Sequence, residues 1–298
     1  MIETPKIILT EDILDSFISI LTTLTGILPR ASHRDGIKYF IEKKISENHY
    51  SIDEYRKLLF TDKNLISEFV NECTVNETYF FREEKQFALL KNTIFPKLRF
   101  KSPGKEIRMW SAACSYGEEA YSLAVMATIC GLNPIVTASD INSEVIEHCK
   151  SGVFLSTSLR SVDGVSFQKL VTPYQREDRK IAFPDNIKKC ITTIQLNLAE
   201  LDSPENALRL PKNQNIIFIR NVFIYFSIEL RKKILQQIAD KCLAEDGYLF
   251  VSMNEIAQLD SSIVPKSLEK NSDGNVFYFH KLSKATDGLG GNKNGTSL

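Results

Sequence analysis

The chain has 298 residues, of which 43% are hydrophobic and 25% are charged. These values are ordinary for globular proteins and exclude wholesale disorder, a collagen-like repeat and a coiled coil. The 37 Lys and Arg residues balance 37 Asp and Glu residues, so no overall field attracts nucleic acid or an anionic membrane surface. Any partner must therefore be recognised by a local patch.

Cysteine and histidine are scattered along the chain. None of the six cysteines forms a C-x-x-C pair, and the four histidines are equally dispersed. Zinc sites need clustered ligands and a chain of this length needs no disulfides, so we expect no metal site and free thiols in a reducing cytoplasm. The first residues lack the pattern of a signal peptide. The uncharged stretch 120–139 contains Gly131, Asn133 and Pro134, which predict a short helix and a strand instead of a membrane span.

The first part of the chain is predicted to be all helical. Apolar residues recur at three- and four-residue intervals from Ile13 to Leu24, and Gly26 follows this stripe. Residues 51–54 (SIDE) have the pattern of a capping box that opens another helix. A third apolar stripe covers residues 65–73. We expect residues 1–85 to form a helical N-terminal domain.

After a predicted linker at residues 101–104 (KSPG), strands and helices alternate. This alternation is typical of a mostly parallel sheet that is covered on both faces, and we expect such an α/β domain over residues 86–282. Residues 283–298 are rich in Gly, Asn, Ser and Thr, which predicts a disordered tail. The expected strands are 107–111, 135–139, 191–195, 216–219, 248–252 and 275–280, and the expected helices are 118–129, 143–150 and 228–243.

Polar residues follow three of the predicted strands, where open α/β sheets bind their ligands. They are the turn 111–119 (SAACSYGEE), Asp140, and the pair Arg220 and Asn221. The turn lacks the G-x-G-x-x-G of a dinucleotide site, and its two adjacent carboxylates would repel a pyrophosphate. A cofactor with a ribose and a cationic centre fits better, which describes S-adenosylmethionine. The alternative is that Glu118 and Glu119 only complement a helix N-terminus.

Five motifs in register give this chain a family resemblance. They are residues 76–83 (NETYFFRE), 110–122 (WSAACSYGEEAYS), 138–141 (ASDI), 195–198 (QLNL) and 219–226 (IRNVFIYF). Their order and spacing resemble those of CheR, the chemotaxis methyltransferases that esterify glutamates of chemoreceptors. The resemblance covers about residues 12–282. It implies a Rossmann-like class I methyltransferase sheet, an all-helical N-terminal domain and a small β-subdomain inserted at 170–189.

The resemblance also implies which residues form the site. Asn76, Thr78 and Arg82 would lie beside the cofactor and the methyl-transfer position, and Tyr225 near the acceptor carboxylate, although a core aromatic is the alternative for Tyr225. Arg82 would bind either the acceptor carboxylate or the carboxylate of the cofactor. The remaining cofactor contacts implied by the family are Glu119, Asp140 on the ribose, Asn197 and Leu198 beside the adenine, and Arg220 and Asn221 at the other end of the cofactor.

These residue types suit the transfer of a methyl group to a carboxylate. A glutamate, with a reference pKa near 4.3, is already ionised at neutral pH and needs no general base. The protein then has to align oxygen, methyl carbon and sulfur. An arginine and a tyrosine hydroxyl can hold the acceptor through hydrogen bonds, provided that one lone pair of the acceptor oxygen stays free.

Two departures from the family pattern bear on function. Met253 stands where the family has a histidine, which puts a local hydrogen bond in doubt. In the insert, residues 171–183 are predicted to form a hairpin with Glu177 and Asp178 at its turn, and no glycine occurs between Gly164 and Gly247. Family members that dock on a peptide at the receptor's C-terminus have a glycine-rich loop here. Charged side chains at this turn obstruct a peptide strand, so we expect an enzyme that does not need that tether.

A basic stretch in the helical domain is the expected partner surface. Arg30, Arg34 and Lys38 are spaced to lie on one helix face if the helix continues through Gly36. In the family, a basic helix here faces the acidic methylation helices of the receptor; the alternative is an ordinary solvated face. We expect a monomeric cytoplasmic enzyme that binds neither nucleic acid nor the membrane interior. Two other functions remain possible, an S-adenosylmethionine-binding regulatory module and a methyltransferase of a signalling protein other than a chemoreceptor, whereas the missing glycines disfavour a nicotinamide oxidoreductase.

Overall fold

A computed structural model describes residues 8–160 and 166–283, and the predicted tail therefore lies almost entirely outside the described residues. Four helices precede the sheet: α1 (Glu11–Thr25), α2 (Ala31–Asn48), α3 (Ile52–Thr61) and α4 (Lys63–Cys73). The apolar stripe of α1 is buried against the other helices, with Phe17 and Leu21 fully enclosed. The capping box at the start of α3 is present, since Ser51 and Glu54 exchange backbone and side-chain hydrogen bonds. The helical character predicted for this region is confirmed.

Gly26 ends α1 in the left-handed conformation, with φ of 74°. A Cβ at this position would lie 2.5 Å from Leu230 and 2.9 Å from Ala199, so only glycine allows so close an approach to the second part of the chain. Two further hydrogen bonds cross the same boundary, from Leu28 N to the Tyr225 carbonyl (2.7 Å) and from Asn197 Nδ2 to the Leu24 carbonyl (3.1 Å). The helices are thus packed directly against the end of the sheet.

A seven-stranded sheet forms the centre of the molecule. In spatial order its strands are the third, second, first, fourth, fifth, seventh and sixth along the chain, the first five parallel and the last two antiparallel. This confirms the predicted α/β class with a mostly parallel sheet. In chain order, with two short strands outside this sheet included, the strands are β1 (Glu106–Ala112), β2 (Asn133–Asp140), β3 (Val153–Leu155), β4 (Lys180–Ala182), β5 (Ile191–Gln195), β6 (Gln214–Ile219), β7 (Leu243–Phe250), β8 (Leu268–Asp273) and β9 (Val276–Lys281).

Alternating side chains of the central strands are buried on both faces of the sheet. On β1, Ile107 and Met109 belong to one core, whereas Trp110 and Ala112 belong to the other. This double burial is why a central strand such as β6 is entirely apolar from Ile216 to Ile219. The helices that follow the four described above are α5 (Glu84–Leu89), α6 (Phe95–Lys101), α7 (Glu118–Ile129), α8 (Ser143–Ser151), α9 (Asp185–Lys188), α10 (Pro204–Arg209) and α11 (Ile228–Gln237).

The structure corrects several predicted elements. The helix expected over 228–243 is α-helical only to Gln237 and continues as a π-helical turn, Ile238–Cys242. Strand β7 then begins at Leu243 instead of residue 248. Strand β8, which pairs with β9 across the predicted turn at 272–275, was missed because its sequence, LEKNSD, is mostly polar and lies at the edge of the sheet. The division of the chain at residue 85 stays a prediction.

The predicted insert also differs in its detail. Within 170–189, only β4 is a regular strand; a 3₁₀ turn at Thr172–Tyr174 precedes it and α9 follows it. The expected hairpin is reduced to a single bridge between Gln175 and Ile181. The main partner of β4 is β3, which lies outside the predicted insert and was missed because three residues are too short for a periodic signal.

Candidate functional site

An open cavity lies at the carboxyl ends of β1, β2 and β6. The helical region contributes Ile27, Pro29 and His33, and the segment that follows α4 forms another side. All ten residues proposed from the sequence line this cavity: Asn76, Thr78, Arg82, Glu119, Asp140, Asn197, Leu198, Arg220, Asn221 and Tyr225. Asp140 and Arg220, which are 80 positions apart, are brought together because parallel strands end at the same edge of the sheet, whereas Asn76, Thr78 and Arg82 lie on the segment between α4 and α5.

Asp140 ends β2 and is almost fully buried. Its carboxylate accepts backbone hydrogen bonds from Ser115 (2.8 Å) and Asn142 (3.1 Å), so it is held in place before any ligand binds. Burial raises the pKa of Asp140, and the backbone N–H groups of Asn142, Ser115 and Ile141 partly oppose that rise. A buried carboxylate at a cavity wall is suited to accept hydrogen bonds from a pair of hydroxyls.

The turn between β1 and α7 has an unusual backbone. Ala113, Ser115 and Gly117 all have positive φ, at 63°, 50° and 107°. At Gly117 a Cβ would also lie 2.5 Å from Cys149 Sγ, so the turn requires glycine there for both conformation and space. The hydroxyl of Ser115 is buried without a hydrogen-bond partner at the edge of the cavity. This unpartnered polar atom fits a ligand that brings polar groups of its own.

The two carboxylates of this turn are not free, contrary to the simple sequence interpretation. Glu119 accepts hydrogen bonds from Ser111 Oγ (2.6 Å) and from Arg220 Nε (2.7 Å). Glu118 is not among the cavity-lining residues and accepts a hydrogen bond from Ser158 (2.7 Å). The turn is therefore less acidic toward a ligand than its sequence suggests, because Arg220 neutralises Glu119 and Glu118 does not line the cavity.

Arg220 links the sheet to the segment that carries Arg82. Besides Glu119, its guanidinium donates to the carbonyl of Arg82 (2.7 Å) and to Gln86 Oε1 (3.1 Å). It also lies over the rings of Phe87 and Phe218. Only 2% of its side chain is exposed. Arg220 lines the cavity, and it also holds the neighbouring chain segment in position.

Arg82 lies in a tightly constrained segment. The residues on either side, Phe81 and Glu83, have positive φ of 57° and 59°. The N–H of Phe81 donates to Ser122 Oγ (2.9 Å), and the carboxylate of Glu83 accepts from the backbone N–H of Met253 (3.2 Å). Because Met253 makes this contact through its backbone, the contact does not need the family's histidine side chain. Arg82 itself donates to the Glu77 carbonyl (2.8 Å), and within the described residues it forms no ion pair.

Tyr225 also borders the cavity, on a 3₁₀ turn after β6. The turn is held by Glu255, whose carboxylate accepts from the backbone of Asn221 (2.7 Å) and Ile224 (3.2 Å). Burial raises the pKa of Tyr225, although Arg30 and Arg82 partly oppose the rise. Its hydroxyl therefore keeps its proton at neutral pH and is a hydrogen-bond donor.

Asn76 and Asn197 contribute less to the free polar surface of the cavity. Asn197 Oδ1 accepts from the N–H of Ala199 (3.0 Å), while its Nδ2 bonds across to α1. The Asn76 side chain donates to Thr74 Oγ1 at 3.4 Å. Asn197 therefore caps its own turn and joins the two parts of the molecule at the cavity wall.

Sequence reasoning missed two residues beside Tyr225 and its turn. His33 lines the cavity, and its ring lies 5.9 Å from that of Tyr225. Glu255 organises the turn that carries Tyr225, and it lies two residues after Met253, where the sequence departs from the family pattern. The apolar spacing of α2 does not identify His33, because the buried residues that define this spacing, Ile37, Ile41 and Ile45, all come after the first turn.

The predicted basic face of α2 needs correction. The helix does continue through Gly36, but Arg30 precedes it as the N-cap residue. Arg34 pairs with Glu11 (2.9 Å) and Asp15 (2.7 Å) of α1, and Lys38 lies 3.9 Å from Glu11. Two of the three positive charges are thus balanced by the neighbouring helix. Among the described residues, Arg30 forms no ion pair, and its charge acts on Tyr225.

Comparison with known proteins identifies the family of this chain. A family profile described as CheR methyltransferase, SAM binding domain, matches residues 76–270, more than half of the chain. The chain is 29% identical over 282 residues to a chemotaxis protein methyltransferase of Borreliella burgdorferi, covering 88% of this chain and 95% of that protein. It is 27% identical to chemotaxis protein methyltransferase 2 of Vibrio cholerae (90% and 94% covered) and 32% identical to chemotaxis protein methyltransferase Cher2 of Pseudomonas putida (64% and 70% covered). The chain therefore belongs to the CheR family of S-adenosylmethionine-dependent chemotaxis methyltransferases.

Proposed function

We propose that this protein transfers the methyl group of S-adenosylmethionine to glutamate side chains of chemoreceptors and so forms glutamate methyl esters. One observation carries the proposal: the same cavity is lined by a buried carboxylate, Asp140, and by the donors of Arg82 and Tyr225. The Asp140 carboxylate suits the ribose of the cofactor, and the donors of Arg82 and Tyr225 suit an incoming carboxylate. The proposed cofactor contacts are Asn76, Thr78, Arg82, Glu119, Asp140, Asn197, Leu198, Arg220 and Asn221, with Arg82 and Tyr225 as catalytic residues.

The chemistry asks for alignment and no proton transfer. When bound, S-adenosylmethionine supplies an electrophilic methyl group on a cationic sulfur. An oxygen lone pair of the acceptor forms the new O–C bond as the C–S bond breaks, and the C–S electron pair stays on sulfur. Arg82 and the protonated hydroxyl of Tyr225 can hold one acceptor oxygen while the other attacks. A regulatory module without turnover would have no need for these free donors.

We propose that the acidic helix of the receptor approaches the mouth of the cavity beside Arg30. This assignment replaces the broader face formed by Arg30, Arg34 and Lys38, because Arg34 and Lys38 already face Glu11 and Asp15. Association through unpaired positive charge should weaken as salt increases, because screening shortens the reach of exposed charges. The methylated helices of chemoreceptors lie in the cytoplasm, so we place the enzyme there. We also propose that it acts as a monomer. Among the described helices, none combines the length and apolarity that crossing a membrane requires.

We also propose that the enzyme works without a tether peptide. Strand β4 has β3 along one edge and the bridge at Gln175 along the other, so neither edge of β4 is open to an added strand. The turn beside it carries Arg176 and Arg179, and Arg176 N closes it on the Lys180 carbonyl (2.8 Å). Peptide addition to a sheet requires an unpaired edge and close backbone approach.

Methyl transfer from tritiated S-adenosylmethionine to receptor-containing membranes tests the proposal. The expected label is released as methanol by mild base, as for an ester, and is lost when the receptor's methylatable glutamates are replaced by alanine. Deleting the receptor's C-terminal tail should leave the rate within about twofold. Base-stable label, or label on another protein in the same membranes, would contradict the proposed acceptor; loss of labelling on tail deletion would contradict tether independence alone.

A further inference from the structure

His33 lies beside Tyr225 in the cavity but has no role in the proposed function. It is in the first turn of α2 and lines the cavity. Its ring packs on that of Tyr225, with the ring centres 5.9 Å apart and the planes inclined by 44°. The residue is brought there by the sharp turn at Gly26 and by the hydrogen bond between Leu28 N and the Tyr225 carbonyl. Tyr225 and His33 thus present two ring side chains to the same space.

The two ring nitrogens of His33 differ in their surroundings. Nδ1 is buried and has no hydrogen-bond partner in the described part of the chain. Nε2 is not fully buried, and it also forms no hydrogen bond with a described residue. A buried N–H without an acceptor is more costly than a buried lone pair on a ring whose proton lies elsewhere. The favoured tautomer therefore carries its proton on Nε2, which leaves an N–H donor facing accessible space.

Charged groups around this pair of rings are of both signs. Arg30 and Arg82 act on Tyr225 as positive charges, whereas Glu77 and Glu255 act as negative charges. Glu255 is already bonded to the backbone of Asn221 and Ile224, and Glu77 pairs with Arg160 (3.1 Å). Neither carboxylate is hydrogen-bonded to His33. The space beside Nε2 and the Tyr225 hydroxyl is therefore suited to an incoming anion.

We propose that His33 binds the acceptor carboxylate through Nε2–H, beside the hydroxyl of Tyr225. This inference rests on the proposed function. The acceptor loses its negative charge as the ester forms, so a second cation, in addition to the Arg82 proposed to align the acceptor, would stabilise the starting carboxylate more than the transition state. A neutral donor binds the acceptor with less of this opposing effect. His33 would therefore contribute chiefly to acceptor binding, and little to the rate of transfer.

The test uses variants of the full chain with a receptor fragment as the acceptor. His33→Phe keeps a ring against Tyr225 and removes the donor; we expect KM for the receptor to rise about 10-fold, with kcat changed less than twofold. His33→Gln supplies a neutral donor and should restore KM to within about threefold of the wild-type value. Ser32→Ala, at an exposed neighbour in the same turn, is the matched control and should change nothing.

Two binding measurements separate this role from a structural one. Calorimetric titration of the receptor fragment into protein saturated with S-adenosylhomocysteine should show the same 10-fold loss for His33→Phe. Affinity for S-adenosylhomocysteine itself should stay within twofold. An unchanged receptor KM, or failure of His33→Gln to rescue it, would overturn the role of His33 while wild-type methylation still supports the proposed function. Absence of receptor methylation by the wild-type protein would overturn both.

Discussion

The residues proposed to bind the cofactor differ in burial and hydrogen bonding from those proposed to bind the acceptor. On the proposed cofactor side, Asp140, Glu119 and Arg220 are buried, and each is already hydrogen-bonded within the protein. On the proposed acceptor side, Arg82 and Tyr225 are only partly buried and keep donors free of acidic partners among the described residues. The charged groups proposed to bind the cofactor are thus already hydrogen-bonded within the protein, whereas those proposed to bind the acceptor keep donors available.

This difference has a physical consequence for ligand binding. Groups that are fixed before a ligand arrives lose little conformational freedom when it binds, which favours a small cofactor. In the proposed function, the acceptor side binds a macromolecular partner that supplies its own carboxylate, and that carboxylate would satisfy the remaining donors. Substitutions on the cofactor side should therefore affect stability and cofactor affinity, whereas those on the acceptor side should affect turnover.

The largest expected effect is on stability, at Arg220. Replacing it with alanine leaves Glu119 buried without its cationic partner and removes the bonds to Gln86 and the Arg82 carbonyl. Removal of one partner of a buried ion pair destabilises proteins by about 3–5 kcal/mol. Chemical denaturation of Arg220→Ala measures this loss. Arg108→Ala, at an ion pair with Glu106 that is half exposed, is the control and should change stability by less than about 1 kcal/mol. A loss below 1 kcal/mol for Arg220→Ala would show that the network is not structural.

The next effect is on cofactor affinity, at Asp140. Asp140→Ala removes the carboxylate proposed to bind the ribose, and hydrogen bonds to a charged group contribute about 1.5–3 kcal/mol. Affinity for S-adenosylhomocysteine should therefore fall roughly 10- to 150-fold in a calorimetric titration. An unchanged dissociation constant would mean that the cofactor does not bind at the end of β2.

The same carboxylate predicts a pH dependence with opposite signs for binding and stability. Burial raises the pKa of Asp140 in the folded protein, so acidification protonates it earlier than an exposed aspartate. S-adenosylhomocysteine affinity should then weaken as the pH falls through that raised pKa. The contribution of Asp140 to the stability of the free protein should rise over the same range, because the folded state binds more protons than the unfolded state. Asp140→Asn should remove this part of the pH dependence of affinity; an equally steep dependence in that variant would assign it to another group.

Arg82 and Tyr225 test the acceptor side. Arg82→Ala should slow methyl transfer by about 10- to 100-fold, and Tyr225→Phe by about 10-fold, since each change removes donors proposed to hold the acceptor. If Arg82 binds the acceptor, S-adenosylhomocysteine affinity stays nearly intact; if it binds the cofactor carboxylate, affinity falls with the rate. Single-turnover rates and calorimetry distinguish these results. Full activity in both variants would remove them from the catalytic machinery.

The smallest expected effects are on receptor association, and they compare Arg30, at the proposed docking position, with Arg34, on the face of α2. Arg30 has no ion pair among the described residues, so Arg30→Ala should weaken receptor association about threefold at low salt and less at moderate salt. Arg34 is paired with Glu11 and Asp15, and Arg34→Ala should change receptor association by less than twofold. Steady-state KM for the receptor at two salt concentrations measures both. A larger effect at Arg34 than at Arg30 would restore the basic helix face as the partner surface.

The sequence by itself determined the elements that carry the site. The apolar spacing of α1, the capping box at Ser51 and the alternation of strands and helices are local signals, and the structure confirms them. The meeting of Glu119, Asp140, Arg220 and Asn221 in one cavity was also predictable, because parallel strands end at one edge of a sheet, whereas the other six proposed residues were implied only by the family resemblance. Short or polar strands such as β3 and β8 were not predictable, because three residues, or six mostly polar residues at an edge, provide no clear period.

Only the tertiary structure decided how the charges are paired. Arg220 and Glu119 are 101 residues apart, and Arg34 and Glu11 are 23 apart, so no local pattern joins them. These pairs make the turn after β1 less acidic and the face of α2 less basic than their sequences suggest. The position of His33 against Tyr225 likewise depends on the packing of two helices on the end of the sheet. Spacing along a chain predicts which side chains share a face, but the partners on the opposing face are set by packing between distant segments, and they decide which charges remain available for a ligand.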